Sequence, residues 1–410
     1  MRFALAFNGT RGDIQPAVVI GSELQRRGHD VIVGAPPNLR DFVTAAGLEA
    51  RPFGYDTRAL MNSALVRDGW RTGGPRQRLA ALRTIRDLGW SQAISDMPAL
   101  AADADAVVTG FVTEQVVAPF AEQRGIPWVA LHHAPIRSNP SYSPIPGAPL
   151  GLPPLVNAAS WALAERSLAL LTRGRRHKLR DQLGLTGSAV GPAFEIQAYD
   201  RALCPELTGW PPSRPFVGFL NLSAEQRTRV GADELSDDLA QWIESGPAPV
   251  YFGFGSMPVR DPHALVAAIG TACTRLRVRA IVSTGWSDID APVSDTLRLV
   301  KSVDHDRLFP RCRAVVHHGG AGTTAAALRA GRPSVVCWVG SDQPFWGAQC
   351  ERHGVGAVTR LKTLDADTLT AKLAVVLEPG YTERAQQLSA ELTPPEHAVS
   401  ECADVLERCR

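Results

Sequence analysis

Residues 315–324 read Val-Val-His-His-Gly-Gly-Ala-Gly-Thr-Thr, and four helix-forming residues, 325–328, follow them. The apolar start of this stretch predicts a buried strand, and its glycines predict a tight turn that opens a helix near Thr323. Ligands of open α/β sheets bind beyond the carboxyl ends of the strands. Backbone amides at a helix start, two hydroxyls and an imidazole suit a diphosphate there. Because neighbouring strand residues point to opposite faces, we expect one of His317 and His318 to be structural and the other to face the ligand.

The same alternation of strand and helix patterns runs through both halves of the 410-residue chain. Strand-like runs cover residues 3–7, 31–33, 106–109, 128–131, 250–254, 279–283, 314–317 and 334–338. This alternation predicts an α/β protein in which parallel sheets carry helices on both faces. The length favours two domains. A proline-rich stretch between Cys204 and Pro215 predicts the linker between them.

Composition and charge exclude several classes of protein. Hydrophobic residues make up 45% of the chain and charged residues 20%, which is typical of a globular protein. The net charge of +2 offers no basic excess for nucleic acid, and no window of about 18 apolar residues predicts a transmembrane span. Seven cysteines without a Cys-x-x-Cys pair fit a reduced, cytoplasmic protein. The sequence contains neither a metal-spaced Cys/His set nor a Gly-x-Gly-x-x-Gly motif, so we expect no metal site and no nicotinamide dehydrogenase.

A second candidate site is the turn after the first strand, Asn8-Gly9-Thr10-Arg11-Gly12-Asp13. Its two glycines allow a ligand to approach the backbone, and the helix start behind them favours an anion. Asp13 lies where that helix begins and has two interpretations. It is either an N-terminal cap, for which aspartate is a favourable residue, or a catalytic base. Position alone favours the cap.

Two shorter motifs follow other predicted strands. Gly253-Phe254-Gly255-Ser256 offers a hydroxyl and free amides, and Ser341-Asp342-Gln343 offers a carboxylate and an amide. An adjacent acid and amide suit the hydroxyls of a sugar, although Asp342 is equally explained as a turn residue. Each motif alone is weak evidence of a site.

Taken together, the motifs at 9–16, 253–256, 317–324 and 342–344 resemble the GT-B family of nucleotide-diphosphate-sugar glycosyltransferases. Plant, sterol and bacterial antibiotic glycosyltransferases belong to this family. The resemblance implies two facing Rossmann-like domains and inversion at the anomeric carbon. It divides the chain into an acceptor-binding domain (1–204), a linker (205–222), a donor-binding domain (223–383) and a C-terminal helix that crosses back to the first domain (384–410).

The resemblance also implies a role for individual residues. Asp13 becomes the base that deprotonates the acceptor hydroxyl, which reverses the preference for a cap. Asp342 and Gln343 become the residues that hold the hydroxyls of the donor sugar. The residues implied at the donor diphosphate are Thr10, Arg11, Ser256, His318, Gly320, Ala321, Gly322 and Thr323. No cofactor or metal is implied. The co-substrate is expected to be a UDP-sugar, with a dTDP-sugar as the alternative.

The acceptor is expected to be a hydrophobic, hydroxylated small molecule such as a polyketide or ansamycin antibiotic. Its predicted contacts are His132, His133, Trp70 and Trp90, although residue type alone favours a place in the core for each tryptophan. A glycolipid, a lipopeptide or a sterol is the alternative acceptor. A sugar-nucleotide epimerase and a non-catalytic nucleotide-sugar sensor are the alternative functions.

Two segments of the first half have no assigned role. Residues 135–154 are rich in proline, serine and glycine and predict a long irregular loop, which is usually functional or mobile. Residues 155–171 form an apolar helical pattern, followed by a basic stretch that ends at Arg180. This segment is either a packed helix with a solvated basic end or a surface that touches a membrane.

Overall fold

The computed structural model describes residues 1–61, 63, 75–231, 235–255, 261–285, 295–301 and 303–409; for 61, 75–83 and 85–87 only the backbone is described. The elements of the first half are β1 (Arg2–Ala6), α1 (Arg11–Arg26), β2 (Asp30–Ala35), α2 (Arg40–Ala45), β3 (Glu49–Pro52), α3 (Thr57–Met61), α4 (Pro75–Leu100), β4 (Ala106–Gly110), α5 (Glu114–Arg124), β5 (Trp128–His132), α6 (Pro154–Gln182) and β6 (Phe194–Gln197).

The second half repeats this alternation. Its elements are α7 (Ala224–Arg229), α8 (Asp237–Glu244), β7 (Val250–Gly253), α9 (Pro262–Leu276), β8 (Ala280–Ser283), β9 (Leu297–Val300), α10 (His305–Leu308), β10 (Ala314–His317), α11 (Ala321–Arg329), β11 (Ser334–Trp338), α12 (Gln343–Arg352), β12 (Gly356–Arg360), α13 (Ala366–Val376), α14 (Pro379–Glu391) and α15 (Pro395–Glu407).

Each half contains one six-stranded parallel sheet with helices on both sides. The strand orders are β3-β2-β1-β4-β5-β6 and β12-β11-β10-β7-β8-β9. The central strands are buried on both faces and therefore consist of nearly continuous apolar residues, such as Val-Val-Thr in β4 and Val-Val-His in β10. The predicted fold class is confirmed. In both sheets the first strand of the half lies inside the sheet, so that the strand order reverses beside it and leaves a crevice for a ligand.

The two halves are joined by packing as well as by the connecting chain. Residues of α15, among them Cys402 and Leu406, belong to the same buried cluster as the core of the first sheet. Arg27 at the end of α1 donates to Asp404 and Glu407 of that helix, at 2.5 and 3.0 Å. The proline-rich connection is also packed, because Val217, Leu220 and Leu222 enter the first core cluster. The final helix therefore holds the carboxyl end of the chain against the first half.

Candidate functional site

A cavity of about 460 Å³ lies where the carboxyl ends of the two sheets face each other. Asp13, from the start of α1, and Asp342, from the turn before α12, both line it. The rest of the lining is mainly apolar and aromatic, and it includes Phe7, Phe111, Leu131, Tyr142, Trp161, Phe345 and the proline-rich residues 144–149. The cavity is suited to an apolar molecule that presents a polar group to two carboxylates.

Asp13 lines the cavity and is not the N-cap of α1: Thr10 occupies that position, and Asp13 is the third helical residue, which completes a capping box with it. Its Oδ2 accepts hydrogen bonds from the Thr10 backbone N–H at 2.7 Å and from Thr10 Oγ1 at 3.1 Å. Gly9 has a φ of +145°, and a Cβ atom on it would lie 2.2 Å from that same Oδ2. Glycine is therefore required at position 9 for the carboxylate to approach the backbone. The hydrogen bonds to Thr10 fix the Asp13 carboxylate at the helix start, and its role as a catalytic base stays a prediction.

Asp342 shares an electrostatic environment with Asp13. Its Oδ2 accepts a hydrogen bond from Trp346 Nε1 at 2.9 Å. Burial raises the pKa of Asp342; the nearby His133 and the hydrogen bond from Trp346 lower it, and the negative charge of Asp13 adds a smaller raising effect. Ser341 precedes it with a φ of +58°, which turns the chain sharply into the cavity lining. The cavity thus brings together two carboxylates and an imidazole from both halves.

β10 ends in the glycine-rich turn, and α11 begins at Ala321 with Gly320 as its cap. The turn packs next to Asp342, because a Cβ atom on Gly319 would lie 3.0 Å from the carbonyl oxygen of Gln343. His317 is fully buried, and its Nδ1 accepts a hydrogen bond from the Gly319 N–H at 3.0 Å. His318 lies against glycine backbone, since a Cβ atom on Gly320 would lie 2.6 Å from its Nε2. Burial lowers the pKa of His318 to about 4, so its imidazole is neutral at pH 7.

The start of α11 offers hydrogen-bond donors of the kind that suit an anion. The first amides of a nine-residue helix have no acceptor within the helix, and the helix dipole adds partial positive charge at the same end. The Thr324 hydroxyl donates to the Gly320 carbonyl at 3.0 Å and so holds the turn. Thr323 is partly exposed beside the free amides. A diphosphate seated here would meet backbone N–H groups and a neutral imidazole.

The N-terminal turn reaches this region from the other half. The charge of Arg11 contributes to lowering the pKa of His305 to about 4, although burial is the larger cause. His305 stacks on Phe309 at 4.4 Å between ring centroids and lies 3.1 Å from the Tyr251 hydroxyl through Nε2. His318 also contributes to the field at His305. Arg11 of the N-terminal turn and His318 of the glycine-rich turn therefore both contribute to lowering the pKa of the buried His305.

His132 lies at the base of the cavity within a network of charged groups. Its Nε2 is 2.6 Å from Glu114 Oε1, and Arg137 donates to both Glu114 and Glu195 at 2.6 and 2.5 Å. Burial lowers the pKa of His132, which favours the neutral ring, while Glu114 opposes that effect. His132 therefore orders the floor of the cavity, and His133 presents the more exposed imidazole.

Comparison with known proteins places this geometry in a family. Residues 3–135 match the model of the glycosyltransferase family 28 N-terminal domain, and residues 279–407 match that of the erythromycin biosynthesis protein CIII-like C-terminal domain. The chain is 40% identical to the uncharacterized glycosyltransferase Rv1524 of Mycobacterium tuberculosis H37Rv, covering 99% of this chain and 98% of the relative. The protein belongs to the GT-B glycosyltransferases.

Other relatives and solved structures agree with this family. The glycosyltransferase is 32% identical to the sterol 3-beta-glucosyltransferase UGT80A2 of Arabidopsis thaliana, over 87% of this chain and 57% of the plant protein. Its fold matches the kitacinnamycin glycosyltransferase with a TM-score of 0.72 at 18% identity, over 100% and 98% of the two chains. It also matches SsfS6 of Streptomyces sp. SF2575, solved with thymidine diphosphate, with a TM-score of 0.63 at 21% identity over 98% and 99% of the chains.

In the structure of the glycosyltransferase, some of the predicted site residues line the central cavity and others do not. Asp13, Asp342, His132 and His133 all line the central cavity. Trp90 does not line it and is partly buried against a cluster of the first core that contains Met97 and Phe120, so a role in acceptor binding is not supported for it. The physical reason is that α4 packs on the sheet and Trp90 contacts the core cluster from that helix. Trp70 and Ser256 lie outside the described residues.

Gln343 makes hydrogen bonds within the protein that stabilise the loop before it. Its Oε1 accepts hydrogen bonds from the Val339 and Gly340 N–H groups at 2.8 and 3.2 Å and so orders the loop before Asp342. Its contact with the donor sugar stays a prediction, as do the roles of Thr10, Arg11, Gly320, Ala321, Gly322 and Thr323 at the diphosphate.

Sequence reasoning missed several residues of the cavity wall. Tyr142 and Trp161 come from the irregular loop and from α6, and Trp161 Nε1 donates to the Tyr142 carbonyl at 2.7 Å. Tyr55 also lies near Asp13, whose charge adds to the effect of burial in raising the pKa of the phenol. The high proline content of residues 144–149 was the available signal for this wall. Across the described part of the chain, no three His, Cys, Asp or Glu side chains form a group that could hold a metal ion.

Proposed function

We propose that this glycosyltransferase moves a hexose from a nucleotide-diphosphate sugar to a hydroxyl of an apolar small molecule, with inversion and without a metal ion. The observation that supports it is the cavity lined by Asp13 from one half and Asp342 from the other, beside the glycine-rich start of α11. A UDP-sugar is the favoured donor. A dTDP-sugar is the alternative, because SsfS6 was solved with thymidine diphosphate.

In the proposed reaction, the acceptor hydroxyl lies against Asp13 and attacks the anomeric carbon on the face opposite the diphosphate. Asp13 accepts the hydroxyl proton while the bond to the diphosphate breaks. Carboxylates are weak bases for alcohols, so proton removal must accompany departure of the leaving group. The amides at the start of α11 and the neutral His318 would receive the charge that develops on the diphosphate. Asp342 would hold a sugar hydroxyl and so position the anomeric carbon.

Two acceptor classes fit the apolar cavity. The first is a polyketide or ansamycin antibiotic, in keeping with the match to an erythromycin-type C-terminal domain. The second is a lipid, such as a sterol, glycolipid or lipopeptide, and the identity with a plant sterol 3-beta-glucosyltransferase favours it. We also propose that the enzyme acts in the cytoplasm, because all seven cysteines are unpaired and buried.

A donor and acceptor screen tests this function. The purified protein is incubated with UDP- and dTDP-sugars and a panel of hydroxylated polyketides, sterols and glycolipids, and products are read by mass. We expect one acceptor to gain the mass of one sugar and the new linkage to have inverted anomeric configuration. Turnover of the nucleotide sugar to an isomer without an acceptor would instead indicate an epimerase. Nucleotide binding with no turnover across the panel would indicate a sensor.

A further inference from the structure

One helix of the first half presents an apolar surface to solvent. In α6 the side chains of Leu155, Leu163, Leu170 and Leu171 are 84%, 69%, 72% and 64% exposed. Large hydrophobic side chains are normally exposed singly, and clusters of them mark a surface that meets an apolar partner. Of all the described helices, none is long and apolar enough to cross a membrane.

The spacing of these leucines gives α6 two different faces. Leu155, Leu163 and Leu170 are eight and seven residues apart, which is about two helical turns in each case, so they lie on one face. Trp161 and Leu179 are buried and lie on the opposite face, toward the body of the domain. The helix therefore packs through one face and leaves the other for a partner.

The exposed face is also basic. Arg166 and Arg173 follow Leu163 and Leu170 by three residues each and so lie beside them on the same face; both are exposed. Over its whole length α6 has six basic residues and two acidic ones. We call Leu155, Leu163, Arg166, Leu170 and Arg173 the outer face of α6. Leucines interspersed with arginines suit a bilayer surface, because apolar side chains enter the acyl boundary and cations pair with anionic headgroups.

The face of α6 opposite the outer face forms part of the wall of the acceptor cavity, so one helix lies between the cavity and the exposed leucines. Trp161 and Leu168 of the same helix line the cavity, and Leu168 is also 42% exposed. Phe111, Val112 and Ile145 line the cavity while remaining 44%, 68% and 60% exposed. An apolar path thus runs from the surface of the first half to the carboxylates at its centre.

We propose that the outer face of α6 docks on a bilayer that contains anionic lipid, and that the acceptor is a hydroxylated lipid that enters the cavity from that bilayer. The docking surface stands on the exposed leucines and arginines alone. The identity of the acceptor rests on the proposed function as well.

Vesicle binding tests the docking surface without any substrate. Full-length protein is mixed with vesicles of phosphatidylcholine, with and without phosphatidylglycerol, and the bound fraction is measured by flotation. We expect binding to the anionic vesicles that weakens at high salt. The variant Leu163→Glu/Leu170→Glu is expected to bind at least about tenfold more weakly, because it places negative charge where apolar side chains would enter the bilayer. Val375→Glu, an exposed apolar position on α13 in the other half, is the matched control and should bind like the wild type.

Transfer assays then distinguish a failure of the docking proposal from a failure of the proposed function. Leu163→Glu/Leu170→Glu should glycosylate a dispersed short-chain acceptor at the wild-type rate and the same headgroup on a vesicle-embedded lipid about tenfold more slowly. Equal loss on both acceptors, or no vesicle binding by the wild type, overturns the inference and leaves the proposed function intact. A concentration-dependent dimer in sedimentation that the double variant abolishes would show that a second copy of the chain covers this face instead, and would also overturn it. Vesicle binding that is lost in the double variant, with no transfer to any acceptor, would uphold docking and reject the proposed function.

Discussion

The variant Gly9→Ala tests whether the position of the Asp13 carboxylate controls the rate of transfer. A methyl group on Gly9 would lie 2.2, 2.5 and 2.7 Å from Oδ2, Cγ and Cβ of Asp13. Non-bonded heavy atoms prefer separations of about 3.5–4.0 Å, so the carboxylate must retreat by about 1 Å. A displacement of this size can lower a rate by about 10²-fold, and general-base help is itself worth about 10²–10⁴-fold. We therefore expect kcat for transfer to fall by about 10²-fold.

The matched control is Gly28→Ala at the end of α1. Gly28 also has a positive φ, +85°, but a Cβ atom there would meet nothing within 4 Å. Both alanines sit in unfavourable backbone conformations, which cost about 1–3 kcal/mol of the free energy of unfolding. Only Gly9→Ala displaces Asp13, so only it should lose transfer, and both variants should bind the nucleotide like the wild type.

Initial rates of product formation, with nucleotide affinity by calorimetry and unfolding in denaturant, separate these effects. Wild-type transfer by folded Gly9→Ala would refute the reasoning, because the carboxylate would then tolerate displacement. An equal loss of transfer in Gly28→Ala would also refute it, because backbone strain alone would explain the defect.

Three further predictions concern other contacts. His318→Ala should weaken binding of the nucleotide diphosphate about 10-fold or more in calorimetry, since a hydrogen bond to a charged group contributes about 1.5–3 kcal/mol; unchanged affinity would remove His318 from the diphosphate site. The fold raises the pKa of Asp342 above its unfolded value of 3.8. At a pH above the folded-state pKa, the ionised carboxylate therefore lowers the free energy of unfolding. Below pH 3.8 the carboxyl is protonated in both states, and this penalty disappears. Asp342→Asn should therefore raise the melting temperature at pH 7, with the gain shrinking as the pH falls toward 4, and a gain that grows in acid would contradict this sign. Arg27→Ala should lower the free energy of unfolding by about 1–3 kcal/mol, because it removes the ion pairs with Asp404 and Glu407 that hold α15; a change below about 0.5 kcal/mol would show that apolar packing alone anchors α15.

The sequence predicted the interior strands and missed the edge strands. β10 and β11 occupy the predicted residues, and β1, β2, β4, β5, β7 and β8 differ from them by at most two residues at either end. The four strands without a prediction, β3, β6, β9 and β12, are the edge strands of the two sheets. A central strand is buried on both faces and therefore reads as an apolar run, whereas β3 reads Glu-Ala-Arg-Pro. Edge strands form because a neighbouring strand, distant in the sequence, offers hydrogen bonds to them. The residues of the edge strand itself therefore do not predict it.

The candidate site divides in a similar way. The two turns at Gly9 and Gly320 could be predicted from short motifs, because the glycines and Asp13 in those motifs are typical of turns that lead into helices. The apolar wall of the cavity could not be predicted from short motifs, since Trp161 and Tyr142, which are in contact there, lie 19 residues apart in the chain. Trp90 shows the same limit, because the sequence does not reveal which face of α4 packs inward.

The most direct test of the account is the variant Asp13→Asn, assayed for transfer and for nucleotide affinity in the same preparation. The asparagine oxygen can still accept the Thr10 N–H, so α1 keeps its cap while the base is lost. The account predicts that transfer falls by about 10²–10⁴-fold and that the nucleotide binds as tightly as it does to the wild type. Transfer at the wild-type rate would contradict the claim that Asp13 accepts the proton of the acceptor.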